Sequence, residues 1–128
     1  MRLLVDTHLL LWALATPELL PEDARALLAN LDNEILFSAA CIWEVAIKSS
    51  RQRPDFQVDA RVMRRRLLDN GYLELAITSE HAIASASLPP IHKDPFDRIM
   101  VAQAVVEGIT LLTSDTVLAQ YSGPVRLV

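Results

Sequence analysis

Short, largely apolar strands alternate with helical segments along this chain, and no other sequence feature constrains the fold as strongly. Four such strands are predicted: Arg2–Val5 (RLLV), Glu34–Phe37 (EILF), Leu73–Ile77 (LELAI) and Ile109–Leu112 (ITLL). Strands that are apolar on both faces are typical of a parallel sheet buried between two layers of helices. The sequence therefore predicts an α/β fold with three α/β/α layers and a short central parallel sheet, with Val125–Val128 as a further edge strand.

The segments between these strands carry residues that begin and end helices. Ser38 is placed to cap a helix, and Gly71 and Gly108 are placed to end one. The predicted helices are Thr7–Ala15, Pro21–Asn30, Ala39–Ser50, Val58–Asn70, a short helix capped by Thr78 and running through Ala86, Pro95–Glu107, and a helical turn at Val117–Ala119. The polar segment SSRQRPDF is predicted to be a loop.

Length and composition exclude several classes of protein. The chain has 128 residues, of which 52% are hydrophobic, so it can bury a core and is predicted to form a single domain over residues 1–128. Its one cysteine, Cys41, excludes a disulfide framework and fits a reducing cytoplasm. The net charge of −4 leaves room only for a local basic patch. The N-terminal stretch MRLLVDTHLLLWALATP is predicted not to act as an export signal, because Asp6 and His8 interrupt its apolar run, and no apolar run is long enough to span a membrane.

Four acidic residues fall where such a fold builds ligand sites. Asp6 follows the first strand, Asp115 follows the fourth, and Glu44 lies early in the helix after the second. Asp97 lies in the first turn of the helix that begins at Pro95. Parallel sheets bind ligands outside the carboxyl ends of their strands, so these acids are predicted to meet. Clustered carboxylates repel unless a cation compensates, and oxygen ligands favour Mg²⁺ or Mn²⁺, which predicts metal-dependent phosphoryl chemistry.

Each acid also has a purely structural interpretation, and any one position alone leaves both interpretations open. The structural roles are an N-cap for Asp6, an i,i+4 ion pair with Lys48 for Glu44, a capping-box-like start for Asp97 behind an N-cap at Asp94, and a turn for Asp115 beside Ser114. Thr113 and Ser114 would either orient a metal-bound water or only cap backbone N–H groups. The four positions together favour a site more strongly than any one of them, whereas for Asp94 the N-cap is preferred.

The three histidines carry weaker signals. His8 either touches substrate or lies at the surface, and His81 is expected on an exposed helix face. His92 lies in the loop beside the predicted site, where it would meet a phosphate. None has partners at metal-ligand spacing, so no metal is assigned to them.

One helical segment is strongly basic. Its arginines are Arg61, Arg64, Arg65 and Arg66. Such a run is usually a solvated helix face. The alternative is a cationic rim around the acidic pocket, which would hold a polyanionic substrate through its phosphates. Further members of that rim would be Lys48, Arg51, Arg53, Lys93 and Arg98.

Four segments carry a resemblance to a known family, and they occur in this order: LLVDTHLLLW, SAACIWEVAIKSS, LPPIHKDPFDRIMVAQA, and ITLLTSD followed by Tyr121. Through them the chain resembles the PIN domain, specifically the small bacterial ribonuclease toxins of the VapC type. The resemblance covers nearly the whole chain. It implies a Mg²⁺-dependent endoribonuclease, with Mn²⁺ as a substitute, that acts on RNA, pairs with an inhibitory antitoxin and often forms a homodimer. It carries the family's acidic residues onto Asp6, Glu44, Asp97 and Asp115. One departure is RQRPDF, where relatives often have a turn resembling Gly-Lys-Leu.

Other readings compete with a toxin. A haloacid-dehalogenase-type phosphatase needs an Asp-x-Asp pair where this chain has Asp6-Thr7-His8, and a phosphoacceptor receiver domain needs an acidic pair that is not evident. A housekeeping PIN nuclease and a PIN fold without catalysis also remain. For the helix THLLLWALA, two fates are open: an antitoxin covers one side, or the sheet and the helix PEDARALLAN bury both.

Overall fold

The central sheet has five parallel strands, as the sequence predicted. In a computed structural model, which describes residues 1–50 and 58–128, the strands are β1 (Arg2–Val5), β2 (Glu34–Ser38), β3 (Leu73–Leu75), β4 (Thr110–Thr113) and β5 (Val125–Leu127). Their order in the sheet is β3-β2-β1-β4-β5. All four predicted strands and the edge strand are confirmed, although β3 ends two residues before Ile77.

Six helices lie between the strands in the described part of the chain. They are α1 (Thr7–Ala15), α2 (Glu22–Ala29), α3 (Ala39–Ser50), α4 (Ala60–Asp69), α5 (Ser79–Ala86) and α6 (Pro95–Glu107), with single 3₁₀ turns at Pro17–Leu19 and Leu118–Gln120. The predicted helix at Val58 begins two residues later, because the Asp59 side chain accepts from the backbone N–H groups of Arg61 and Val62 and so caps α4. Of the predicted loop SSRQRPDF, residues 49–50 belong to α3, and the remainder, RQRPDF, which is also the departure from the family, lies outside the described residues.

The order of the strands creates a crevice beside β1. From β1 the sheet grows through β2 to β3 in one direction, and the chain then returns to place β4 and β5 on the other side. Val5 is in register with Leu112, and the backbone N–H of Asp6 donates to Leu112 O at 3.1 Å. The residues that follow β1 and β4 are therefore neighbours at the switch point where such sheets bind ligands.

Both faces of the sheet are covered, as an α/β/α arrangement requires. Leu3, Leu4 and Val5 are consecutive and fully buried, although their side chains point alternately to opposite faces. Phe37 of β2 and Met100 of α6 are among the large side chains that complete this core. A rigid central strand therefore carries Asp6 at its end. Among the described residues, no helix combines the length and apolar character needed to cross a membrane.

Candidate active site

Asp6 joins the end of β1 to the start of α1. Its Oδ1 accepts from the backbone N–H of Leu9 at 3.1 Å, and its Oδ2 accepts from Thr113 Oγ1 at 2.5 Å. The N-cap role expected from the sequence is therefore confirmed, but the second oxygen faces β4. Burial raises the pKa of Asp6, while the two hydrogen bonds lower it and the charge of Asp115 raises it. Asp6 is both a cap and a member of a charged cluster.

Thr113 links the two acids that follow the central strands. Its hydroxyl donates to Asp6 and accepts from the backbone N–H of Asp115 at 2.9 Å. It is fully buried, so the hydroxyl is committed to these two partners. This single side chain fixes the end of β1 relative to the turn after β4. The sequence left open whether Thr113 orients a metal-bound water or caps; its acceptance of the Asp115 N–H fits the capping role, and the orientation of a water stays a prediction.

Glu44 lies on the inner face of α3 and is only 4% exposed. Its Oε1 accepts from Thr7 Oγ1 at 2.7 Å, and its Oε2 forms an ion pair with Lys48 Nζ at 2.7 Å. The expected pair with Lys48 is confirmed, yet the carboxylate is buried beside α1 rather than solvated on a helix surface. A buried carboxylate needs such partners, because desolvation of an unpaired charge is costly.

Asp97 lies in the first turn of α6, two residues after the helix begins at Pro95. Asp94 caps this helix by accepting from the backbone N–H of Phe96 at 2.8 Å, as predicted. The pKa of Asp97 is raised to about 7, first by burial and then by the negative charges of Asp94, Glu44 and Asp6, against the lowering effect of His92. The influence of these charges shows that carboxylates from β1, α3 and α6 converge on one pocket.

Asp115 lies in the turn after β4 and shares a partner with Asp97. His92 Nε2 is 3.0 Å from Asp115 Oδ2 and 3.3 Å from Asp97 Oδ2. Partial burial raises the pKa of Asp115, but hydrogen bonds from the backbone N–H groups of Val117 and Leu118 and from His92 outweigh it, so the pKa lies below its usual value. The expected turn role is confirmed, and Asp115 also belongs to the cluster.

The loop that carries His92 is held by an arginine of α6. Arg98 donates to the carbonyl oxygens of Ser85 at 2.8 Å and Pro89 at 3.1 Å, and to Tyr121 Oη at 3.2 Å. Tyr121 Oη in turn accepts from the backbone N–H of His92 at 3.0 Å. The sequence offered Arg98 as a member of a cationic rim in one of two alternatives, but its guanidinium is turned into this loop.

Two other members of the proposed rim, among the described residues, have partners within the protein. Arg64 pairs with Glu74 at 2.9 Å, and Arg66 donates to Leu14 O at 2.7 Å. Arg61, Arg65 and Lys93 are exposed, which fits the alternative of a solvated helix face. Arg51 and Arg53 lie outside the described residues.

His81 was expected on an exposed helix face, and that prediction is wrong. Its side chain is buried: Nδ1 accepts from the backbone N–H of Thr78 at 3.0 Å, and Nε2 lies 2.9 Å from Glu107 Oε2. The ring completes the cap of α5 and ties it to α6. His8 is exposed, in agreement with one of its two predicted placements.

The pocket has the donor set that suits a divalent cation. Four carboxylates act on one another there, and the pKa of Asp97 is raised to about 7, chiefly by burial, so this acid is partly protonated at neutral pH. Oxygen ligands of this kind fit Mg²⁺ or Mn²⁺. One ligand atom each from His92, Asp97 and Asp115 lie within 4.8 Å of one another. Spacing in the sequence did not associate His92 with these acids.

Comparison of the sequence with models of protein families identifies the family of this chain. The model of the PIN domain matches residues 3–124, nearly the whole chain. The chain belongs to the PIN-domain family. That assignment removes the phosphatase and receiver-domain readings, both of which require other folds and other acidic motifs. The four acids and Thr113 lie within the matched span of this PIN domain.

Solved structures share the fold of this PIN domain. One is a chain of VapBC2 from Rickettsia felis, in a crystal structure of VapBC2 bound to a DNA fragment from its promoter. It superposes with a TM-score of 0.72 at 14% identity, and the match covers 99% of this chain and 98% of that one. A chain in a toxin-antitoxin complex from Klebsiella pneumoniae gives a TM-score of 0.64 at 21% identity, with coverage of 96% and 94%. FitAcB from Neisseria gonorrhoeae gives 0.61 at 20% identity, with coverage of 91% and 89%. No curated protein sequence matches the chain.

Proposed function

We propose that this PIN domain, spanning residues 1–128 as a single domain, is a metal-dependent endoribonuclease and the toxin of a toxin–antitoxin pair. The observation that carries the proposal is the convergence of Asp6, Glu44, Asp97 and Asp115 at one sheet edge, where their charges perturb one another. RNA as the substrate follows from the resemblance to VapC-type ribonucleases. A toxin role is supported by the fold shared with chains of toxin–antitoxin complexes.

Asp6 and Asp97 are the main contacts of a Mg²⁺ or Mn²⁺ ion in this proposal, and Glu44 and Asp115 complete the acidic pocket. When bound, such an ion supplies activation of a water and stabilisation of the charge that develops on the phosphate. With four carboxylates and a compensating cation, the pocket becomes attractive to a phosphodiester that the acids alone would repel.

The remaining side chains orient the carboxylates. Thr113 holds Asp6 by its Oδ2, and Thr7 holds Glu44 by its Oε1. Lys48 neutralises the other oxygen of Glu44 at 2.7 Å, which reduces repulsion within the pocket. Each acid is thus fixed before substrate arrives, so little reorganisation is needed for catalysis.

Cleavage of labelled RNA by purified protein tests the catalytic part. Addition of EDTA should abolish cleavage, and Mg²⁺ or Mn²⁺ should restore it. Asp6→Asn and Asp97→Asn keep the shape but remove the charge, and should lower the rate by at least about 100-fold. Asp32→Asn is the control, because it removes the same charge at an exposed position that takes no part in the acidic cluster. Cleavage that survives EDTA, or full activity of folded Asp97→Asn, would contradict the proposed chemistry.

A groove between α1 and α4 suits an antitoxin segment. It has a volume of about 260 Å³ and is lined mainly by apolar side chains, among them Leu11, Leu14, Val62 and Met63, with Arg66 at its edge. Leu11 and Leu14 are partly buried, so α1 packs one side into the core and leaves the other within reach. An amphipathic segment with apolar anchors and acidic residues would fit the groove and the exposed arginines of α4.

Co-expression tests the toxin part. The wild-type protein alone should arrest growth, and the partner encoded beside it should relieve the arrest. Val62→Glu places a charge in the groove and should weaken relief at least about 10-fold by partner titration. Val105→Glu is the control, because Val105 is an exposed valine of α6, 48% accessible, away from the groove. Unhindered growth with soluble, metal-competent protein would favour a housekeeping PIN nuclease instead.

We also propose a homodimer, through the exposed surface around Trp43. This side chain is 59% exposed and packs edge-on against Phe96, with ring centroids 5.1 Å apart. Together with Ile77, Pro95 and Ile99, the pair lines a groove of about 300 Å³. No charged side chain is among the described residues that line this groove. Trp43→Lys should convert a dimer to a monomer in light scattering, whereas Leu31→Lys, at a 99% exposed position, should not.

A further inference from the structure

We infer that His92 is a positioning residue, whose Nε2–H donates to Asp115 beside the carboxylate of Asp97, and that it is not a metal ligand. This inference rests on the proposed function, because it concerns the same acidic pocket. The distances alone do not distinguish the two roles. Nε2 lies 3.0 Å from Asp115 Oδ2 and 3.3 Å from Asp97 Oδ2, a spacing that also suits three ligands of one ion.

The other nitrogen of the ring decides between them. Nδ1 accepts from the backbone N–H of Asp94 at 3.1 Å, so its lone pair is already used. A neutral imidazole has one proton, which must then be on Nε2, the nitrogen that faces the two carboxylates. A metal ligand needs the opposite tautomer, with a lone pair on Nε2 and a proton on Nδ1. That proton would point at the Asp94 N–H, so the loop favours the donor form.

The loop geometry keeps this donor aligned with Asp97. The backbone N–H of His92 donates to Tyr121 Oη at 3.0 Å, and Arg98 donates to the same oxygen at 3.2 Å. Arg98 follows Asp97 directly in α6. The helix that carries Asp97 therefore also fixes the loop that carries His92, and the donor and its acceptor move as one unit.

An N–H that donates to Asp115 and lies 3.3 Å from Asp97 Oδ2 fixes the position of Asp115 and offsets part of the repulsion between the two carboxylates. The Nε2–H faces Oδ2 of each acid, while Oδ1 of Asp115 accepts from the backbone N–H of Val117 at 2.8 Å. Groups that orient metal ligands in this way typically change metal affinity by about 10- to 100-fold when they are removed. His92 should therefore matter for metal binding even when no RNA is present.

Two substitutions separate the two sides of the ring. In His92→Gln the amide nitrogen reaches the position of Nε2, so the donor to Asp97 and Asp115 is kept and the acceptor for Asp94 is lost. In His92→Asn the amide lies near Nδ1, so an acceptor for the Asp94 N–H is kept and the donor to the acids is lost. The pair is matched, because each variant retains one half of the histidine's hydrogen bonding.

Calorimetric titration with Mn²⁺ at pH 8, without RNA, gives the readout. We expect the Kd of His92→Gln to stay within about 3-fold of wild type, and that of His92→Asn to rise about 10-fold or more. The reverse order would assign His92 to the loop alone. Equal weakening in both variants would indicate that the ring nitrogen itself binds the ion, and no change in either would leave His92 without a role. Each of these three results overturns the inference.

RNA cleavage by the same preparations keeps this inference distinct from the proposed function. Mn²⁺ binding in the expected order without any RNA cleavage would support the positioning role and refute the ribonuclease. Cleavage that depends on Asp97 together with unchanged Mn²⁺ affinity in both His92 variants would refute the positioning role and leave the ribonuclease standing.

Discussion

Replacing Asp97 by asparagine should stabilise the metal-free protein above neutral pH. The pKa of Asp97 is raised from 3.8 to about 7, first by burial and then by the charge of Asp94. Between these two values the unfolded chain releases the proton that the folded protein keeps. The free energy of unfolding therefore falls as pH rises from about 4 to about 7, and the loss stays constant at higher pH.

The pKa values set the size of the effect. At 1.36 kcal/mol per pKa unit, a rise from 3.8 to about 7 corresponds to at most roughly 4 kcal/mol. Asparagine removes the charge but leaves a polar amide buried, so we expect it to recover about 1–3 kcal/mol of this. For a chain of this size, about 4 °C of Tm accompanies each kcal/mol, which gives an increase of roughly 4–12 °C at pH 8.

Thermal unfolding in EDTA, followed by circular dichroism from pH 4 to pH 8, measures the difference in Tm between Asp97→Asn and wild type. The difference should be near zero at pH 4 and grow through pH 7. Asp32→Asn, at an exposed position, changes the net charge equally and should show no such growth. Saturating Mn²⁺ should reverse the order, since binding at 100 times the Kd adds about 2.7 kcal/mol to wild type. A variant that is less stable than wild type at pH 8 in EDTA would refute the reasoning.

Three further outcomes follow from the same geometry. Asp94→Asn removes the nearest negative charge from Asp97 while keeping the cap, so half-maximal Mn²⁺ binding should move to lower pH, as calorimetry at several pH values would reveal. Ca²⁺ should bind in competition with Mn²⁺ yet support little RNA cleavage, because its looser coordination positions water poorly; a cleavage rate equal to that with Mg²⁺ would count against this. Cys41 is fully buried and its pKa is raised to about 12, so a thiol reagent at pH 8 should modify it only as fast as the protein opens, and rapid modification of native protein would contradict the described core.

Local rules were enough to predict the elements and the candidate acids. Apolar runs such as RLLV and ITLL indicate buried strands whatever their neighbours are. The side chains of a strand alternate between its two faces, so a continuous apolar run means that both faces are covered. Caps are also local, and Asp6 and Asp94 accept from N–H groups only two or three residues away. The position of an acid after a strand therefore predicted which side chains would gather at the sheet edge.

The partners of those acids depend on tertiary structure. Thr113 meets Asp6 across 107 residues, Thr7 meets Glu44 across 37, and His92 meets Asp115 across 23. Periodicity reports which face of an element is buried, but not which element covers it. His81 is the clearest example. The sequence predicted an exposed position on α5, but the ring is buried and its Nε2 lies 2.9 Å from Glu107 Oε2 of α6. These contacts follow from the strand order β3-β2-β1-β4-β5. The chain returns past β1 after β3, and this places the end of β4 beside Asp6. One threonine hydroxyl can then contact the residues that follow both strands.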